Sequence, residues 1–348
     1  MKCPVMTAMT EYRPTGKSCP RPGIGIESNS RGEADAIKSC IHRGVVMPEL
    51  RKLEYGVPTD TTGTSVQLGI DKGFFEEEGL DLSIKVIFGG PELAAAYDCG
   101  EILVGEIGSP PAINAIASGG RFRIVGSGCR RQAQMYLCVG KGITSYADIE
   151  GKRLGHLGLG SCPDWISRKI LSKQGVDLEK VEFVPLLDRY PEVVEMMADG
   201  RLDACLVAEP TASEGEEAGI MEVWADGSDE AYIPNFQWIV RVANTGFIAE
   251  QADTVAAVLA GCRRSARYAA AHPDEWIGLL VERYGSDEAA ARRSIERELA
   301  SYELDCLLDM AGLQRAVDMQ LELGGIAEAA TAADFVDMQF QAALAAAA

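Results

Sequence analysis

The stretch that most constrains this chain runs from Val104 to Gly128, VGEIGSPPAINAIASGGRFRIVGSG. It reads as strand, turn, helix, turn, strand. Val104, Glu106 and Ile107 sit in a β-favouring run, and Gly108 breaks it. Ser109 is a candidate N-cap, because a serine hydroxyl can accept from the unpaired N–H groups of a first helical turn. Pro110 and Pro111 suit that turn, where a missing N–H costs nothing and the fixed φ is already helical. Gly119 and Gly120 stop the helix, and Phe122 to Val125 begin the next strand. A strand running straight into a helix leaves free donors and a positive dipole end at the strand's carboxyl edge. Such a place suits an anionic or polar ligand. An ordinary βαβ turn carries the same signature, so this stretch alone speaks for a fold and not for a function.

The alternation recurs along the chain. Leu53 to Val57 is expected as a strand, followed by the hydroxyl-rich turn Thr59-Asp60-Thr61-Thr62-Gly63-Thr64-Ser65. One helix is expected from about Ser65 to Glu78, then a strand from Leu82 to Phe88. Further strands are expected at Met135–Val139, Arg153–Leu157, Val181–Leu186, Ala204–Ala208, Met221–Ala225 and Gln237–Val242, with helices between most of them. The segment Gly158 to Asp164 repeats the central arrangement, small residues leading to a cap and a proline. From about Glu250 the chain turns helical and alanine-rich. Strands alternating with helices make an α/β protein with mostly parallel sheets covered on both faces. There are too many strands for one compact sheet. The expectation is two lobes, one of residues 47–137 plus 237–348 with the helical C-terminal tail, and one of residues 138–236. Residues 1–46 are expected to be a flexible leader, rich in Pro, Gly and Ser and carrying seven Lys/Arg against four Asp/Glu.

Charge removes one class of partner. The net charge is −19 and the acids are spread along the chain, whereas nucleic-acid binding needs a basic face. No apolar run approaches the ~20 residues needed to span a bilayer. Ten cysteines show no CxxC and no regular spacing, so no zinc ligand set is expected, and no metal or cofactor is implied. Free thiols favour a reducing compartment, so the cytoplasm is favoured slightly, and loss of an export signal would reverse that.

In such sheets ligands sit at the carboxyl ends of strands, so the loops there supply the candidates. Thr59, Thr61, Thr62 and Thr64 offer hydroxyls to a ligand, although Thr and Asp also favour turns for their own sake. Asp60 and Glu209 would repel a simple anion and favour an amine, an amidine or a nitrogen-rich ring. Arg130 and Arg131 argue the other way, offering forked donors to an anionic group. Trp165 could stack on a ring or belong to the core. Cys162 stands at a helix start, which lowers thiol pKa, with His156 on the preceding strand. Ser109, Pro110, Ser127, Ser161, Asp164 and Thr211 complete the candidate set.

Several stretches, LEYGVPTDTTGT from Leu53, LGIDKGFFEEEGLDLSIKVI from Leu68, GEIGSPPAINAIASG from Gly105, SYADIEGKRLG from Ser145, MADGRLDACLVAEP from Met197 and ADFVD from Ala333, occur in an order that resembles the type II periplasmic-binding-protein family. The likeness is to its group of nitrate, taurine and alkanesulfonate receptors and thiamine-pyrimidine precursor proteins. It implies a two-lobed fold with a small organic ligand, a sulfonate, carboxylate or N-heterocycle, held between the lobes, and an ABC permease as partner. By the same resemblance the contacts come from Thr59–Thr64, Ser109–Pro110, Ser127 and Arg130, Ser161–Trp165 and Glu209–Thr211. A cytoplasmic enzyme on the same scaffold, a decarboxylase or a step in cofactor or pyrimidine biosynthesis, is the alternative. Desulfinases of this fold carry their nucleophilic cysteine just after the first strand, where this chain has Val57-Pro58-Thr59. The cysteine cluster of the fungal pyrimidine synthases is absent.

Overall fold

In the computed structural model, residues 49–129 and 134–346 are described; the expected leader lies outside them. Two five-stranded sheets organise the chain. The first holds β1 (Arg51–Val57), β2 (Leu80–Val86), β3 (Val104–Gly108), β4 (Phe122–Ser127) and β10 (Ile239–Asn244), in the order β2-β1-β3-β10-β4. The second holds β5 (Met135–Val139), β6 (Arg153–His156), β7 (Glu182–Pro185), β8 (Ala204–Ala208) and β9 (Glu222–Asp226), in the order β7-β6-β8-β5-β9. The two orders are the same topology. In each sheet one strand runs against the rest, β10 in the first and β5 in the second. Those are the strands that bring the chain over from the other sheet. The sheets are therefore mixed, parallel but for that one strand.

Sequence explains the local choices. In β1 the inward residues Leu53, Tyr55 and Val57 alternate with exposed Lys52 and Glu54, the two-residue period of a half-buried strand. Every residue of β3 is buried. Gly105 there lies so close to β1 that a Cβ would stand 2.6 Å from Gly56 N and would overlap Gly56 O. Around the first sheet lie α1 (Thr64–Asp71), α2 (Phe74–Glu77), α3 (Gly90–Cys99) and α4 (Ser109–Ala117). The single helix expected over residues 65–78 is two, because Gly73 takes φ +76° and turns the chain between them. Around the second sheet lie α5 (Cys162–Lys173), α6 (Val193–Ala198) and α7 (Thr211–Glu217). The tail supplies α8 (Thr245–Ala271), α9 (Pro273–Tyr284), α10 (Glu288–Leu299), α11 (Met310–Glu322) and α12 (Met338–Ala346). Among the described residues no helix is long and apolar enough to cross a membrane.

Two departures bear on the site. The expected division after Leu137 cuts β5, whose residues from Met135 pair as a unit with β8 and β9. The change of sheet therefore falls before Met135. The tail also serves both lobes: Arg293 and Arg297 of α10 bind Glu216 and Glu217 of α7 and Glu209 at its approach. One apolar cluster runs through both lobes, from Ile107 and Ile113 by way of Cys162, Trp165, Phe236 and Trp238 to Leu154 and Ile166.

Candidate functional site

The carboxyl ends of four strands, β1 and β3 from the first sheet and β6 and β8 from the second, meet at one pocket. Its empty space, counted together with the solvent it opens onto, is about 770 Å³. Pro58, Thr59, Thr61 and Thr62 line it after β1, and Gly108 and Pro111 after β3. Leu157, Ser161, Cys162 and Pro163 follow β6, and Ala208, Glu209 and Thr211 follow β8. The segments that cross between sheets add Gln134 and Met135, and Trp238 and Ile239; Tyr190 and Glu298 close the wall. The lobes touch beneath it. A Cβ on Gly108 would lie 2.6 Å from Cys162 Sγ, so only glycine fits there.

Of the candidates, Thr59, Thr61, Thr62, Ser161, Cys162, Glu209 and Thr211 line this one pocket. Thr59 and Thr62 share a hydroxyl–hydroxyl hydrogen bond of 2.5 Å that folds the first loop on itself. Ser161 donates its hydroxyl to Gly158 O and accepts from Gly158 N, so it shapes its loop and does not cap α5 by its side chain. Glu209 is buried; its carboxylate accepts from Arg297 Nη1 at 2.6 Å and from Ser213 N at 3.1 Å. Burial raises its pKa, and the Arg297 guanidinium opposes that rise. Asp60 is half-buried beside the pocket without lining it, and burial raises its carboxyl too.

The other candidates have structural work. Ser109 opens α4 and is not its cap. Its hydroxyl donates to Gln237 O at 2.5 Å and its N–H to Trp238 O, fastening β3 to the crossing segment. Pro110 is buried in the first turn, and Pro111 faces the pocket in its place. Thr64 accepts from Trp276 Nε1 at 2.9 Å under the helical tail. Asp164 accepts from Gly160 N at 2.9 Å and Arg168 Nε at 2.8 Å, tying the loop to α5. Trp165 packs on Phe236, ring centroids 5.7 Å apart, in the shared core. Arg130, like Arg131, lies outside the described residues.

Ser127 belongs to a buried polar network in the first sheet. Arg241 of β10 stands directly across from Glu106 of β3, both almost fully buried, with Nη2 3.8 Å from the carboxylate. Tyr55 donates to Glu106 and accepts from Arg241 Nε, each at 3.1 Å. Arg241 also donates to Ser127 O and to Cys306 Sγ. Ser127 Oγ donates to Glu303 and accepts from Gln237 Nε2 at 3.0 Å. Gln237 Oε1 accepts from Asp309 N. Ser127 at the end of β4 and Gln237 just before β10 are therefore both held by the loop between α10 and α11. Charges taken this far from water must be paired and hydrogen-bonded to persist.

The expected activation of Cys162 fails. Burial pushes its thiol up to about 12, with the indole N–H groups of Trp238 and Trp165 only partly opposing this. Desolvation of the thiolate outweighs the helix N-terminus. His156 lies 4.0 Å from Asp164, and burial lowers its pKa.

Pocket residues that sequence reasoning missed are Gln134, Trp238, Tyr190 and Glu298. The first two sit in crossing segments with no motif. The last comes from a helix 89 positions beyond Glu209 in the chain.

The family profile described as "NMT1/THI5 like" matches residues 61–276, more than half of the chain. The chain belongs to the NMT1/THI5-like family. A "Putative binding protein" of Brucella abortus is 25% identical to this NMT1/THI5-like chain over 240 residues, 67% of this chain and 72% of the relative. Among solved structures, the alkanesulfonate-binding protein SsuA from Xanthomonas axonopodis pv. citri, bound to MOPS, superposes with TM-score 0.67 at 18% identity, covering 83% of this chain and 98% of that one. A ligand-binding component of an ABC-type import system from Staphylococcus aureus, with zinc bound, gives TM-score 0.66 at 15% identity over 84% and 98%. These two likenesses establish the fold, a two-lobed, periplasmic-binding-protein-like α/β architecture.

Proposed function

We propose that this protein is a solute-binding protein that closes two lobes on a small polar organic molecule and serves an ABC-type importer. The observation that carries it is the convergence of four strand ends, two from each sheet, on one pocket. The names of its relatives and structural neighbours agree with it. In this reading the lobes are residues 47–137 with 237–348, less the few residues of β5, and residues 138–236. They hinge at the two crossings, in the manner of binding proteins that close around a ligand. The ligand touches Thr59, Thr61, Thr62, Ser161, Cys162, Glu209 and Thr211 from among the candidates, together with Trp238 and Tyr190. The alternative, a cytoplasmic enzyme on the same scaffold, finds no activated nucleophile in Cys162, whose buried thiol is pushed up to about 12.

A thermal-shift screen over small sulfonates, carboxylates, amides and N-heterocycles tests this. A ligand at a hundred times its Kd stabilises by about 2.7 kcal/mol. The expected hit also quenches or shifts Trp238 fluorescence. No shift with any class overturns the reading.

A further inference from the structure

Two atoms in the pocket wall are buried without an oxygen or nitrogen hydrogen-bond partner. Gln134 and Trp238 both line the pocket, and they are only 8% and 6% exposed. Gln134 Nε2 donates to Arg297 O at 2.6 Å. That bond fixes the amide, because only the nitrogen end can donate to a carbonyl, and Oε1 is left with no donor. Trp238 Nε1, which can only donate, has no oxygen or nitrogen acceptor and only the Cys162 thiol, a weak acceptor, beside it. Folded proteins rarely tolerate such groups, and each one calls for a reason.

Charge adds a second criterion. Among the described residues, those lining the pocket include Glu209 and Glu298 and no lysine, arginine or histidine. The neighbouring cation, Arg297, is already engaged by Glu209, Ser213 and Glu216. An oxyanion offers acceptors alone. It could satisfy the indole, but it would leave Gln134 Oε1 unpaired and would stand against carboxylates.

We infer that the pocket selects an uncharged ligand bearing an amide-type group, which presents a carbonyl acceptor to Trp238 Nε1 and an N–H donor to Gln134 Oε1. Carboxamides, lactams, ureas and rings with an N–H/C=O edge share this chemistry. Sulfonates and carboxylates are disfavoured, which separates this chain from the alkanesulfonate-binding protein whose fold it shares. The inference rests on the solute-binding reading and narrows it.

Calorimetric titration of the full chain with matched probes tests it: benzamide and 2-pyrrolidinone against benzoate, benzenesulfonate and methanesulfonate. The amides are expected to bind at least ten-fold more tightly than the anions of the same skeleton. Trp238→Phe keeps a ring and removes the donor. Gln134→Leu keeps the bulk and removes the acceptor. Each should lower amide affinity ten-fold or more while changing anion affinity less, and either variant suffices if the other does not fold. Anions binding as tightly as amides would overturn the ligand class and leave the solute-binding reading standing. Loss of neither contact on substitution would do the same. No binding by any probe of either series would overturn both.

Discussion

Replacing Arg297 with alanine would isolate the ion pair that reaches from the tail to the second lobe. The Glu209 side chain is 2% exposed, and Arg297 Nη1 sits 2.6 Å from its carboxylate. Without the guanidinium, a desolvated carboxylate keeps one backbone donor, Ser213 N. Removing one partner of a buried pair costs about 3–5 kcal/mol. Protonation limits that loss. Burial already raises the Glu209 carboxyl, and losing the guanidinium that opposes this moves it further the same way, so the buried acid takes up a proton instead of bearing the whole cost of an unpaired charge. The direction with pH follows from linkage. An acid whose folded pKa lies above its unfolded value loses stability as pH rises between the two. The variant's deficit is therefore smallest at acid pH, where the carboxyl is protonated in both states, and grows as the pH rises towards neutrality. Loss of the partly exposed contact to Glu216 adds about 1 kcal/mol at most. Urea unfolding followed by tryptophan fluorescence, at an acid and at a neutral pH, gives the numbers. Repeating Arg297→Ala in a Glu209→Gln background closes the cycle, and most of the cost should vanish there. A deficit below ~1 kcal/mol, or one that ignores pH, would refute the reasoning.

Other consequences can be checked on the same protein. Gly105→Ala places a methyl group against the Gly56 backbone and should cost about 3 kcal/mol, the upper end of overpacking; unchanged melting would contradict the strand spacing. Cys162, its thiol pushed up to about 12 by burial, should resist iodoacetamide at mildly alkaline pH until denaturant is added, while the exposed Cys99 reacts; peptide mass mapping reads both, and equal native labelling would count against a buried Cys162. Trp276→Phe strands the Thr64 hydroxyl beneath the tail and should destabilise by about 1–3 kcal/mol in a thermal or chemical melt, with no effect expected if Thr64 were instead exposed to the pocket.

Much of the fold was legible because its signals are local. Met135–Val139, Ala204–Ala208 and Pro273–Tyr284 lie where the apolar pattern and the punctuating Gly and Pro place them. The break in the first helix was not, since a glycine within a helical pattern is compatible with either outcome until its φ is known. The site divides in the same way. That loops after Val57, Gly108, His156 and Ala208 gather at one place follows from strand direction. Which side chain on each loop faces the ligand does not. Ser109 and Ser127 look like ligand donors in the sequence, but the crossing segments around Gln237 claim their hydrogen bonds. Gln134 and Trp238 carry no pattern at all, because their burial depends on how two sheets are set against each other.

The strand that enters each sheet from the other side is seated inside it, β10 between β3 and β4, and β5 between β8 and β9. A load drawing the lobes apart would therefore pull on rungs anchored along both flanks. Such rungs resist in shear and cannot be unzipped from a free margin.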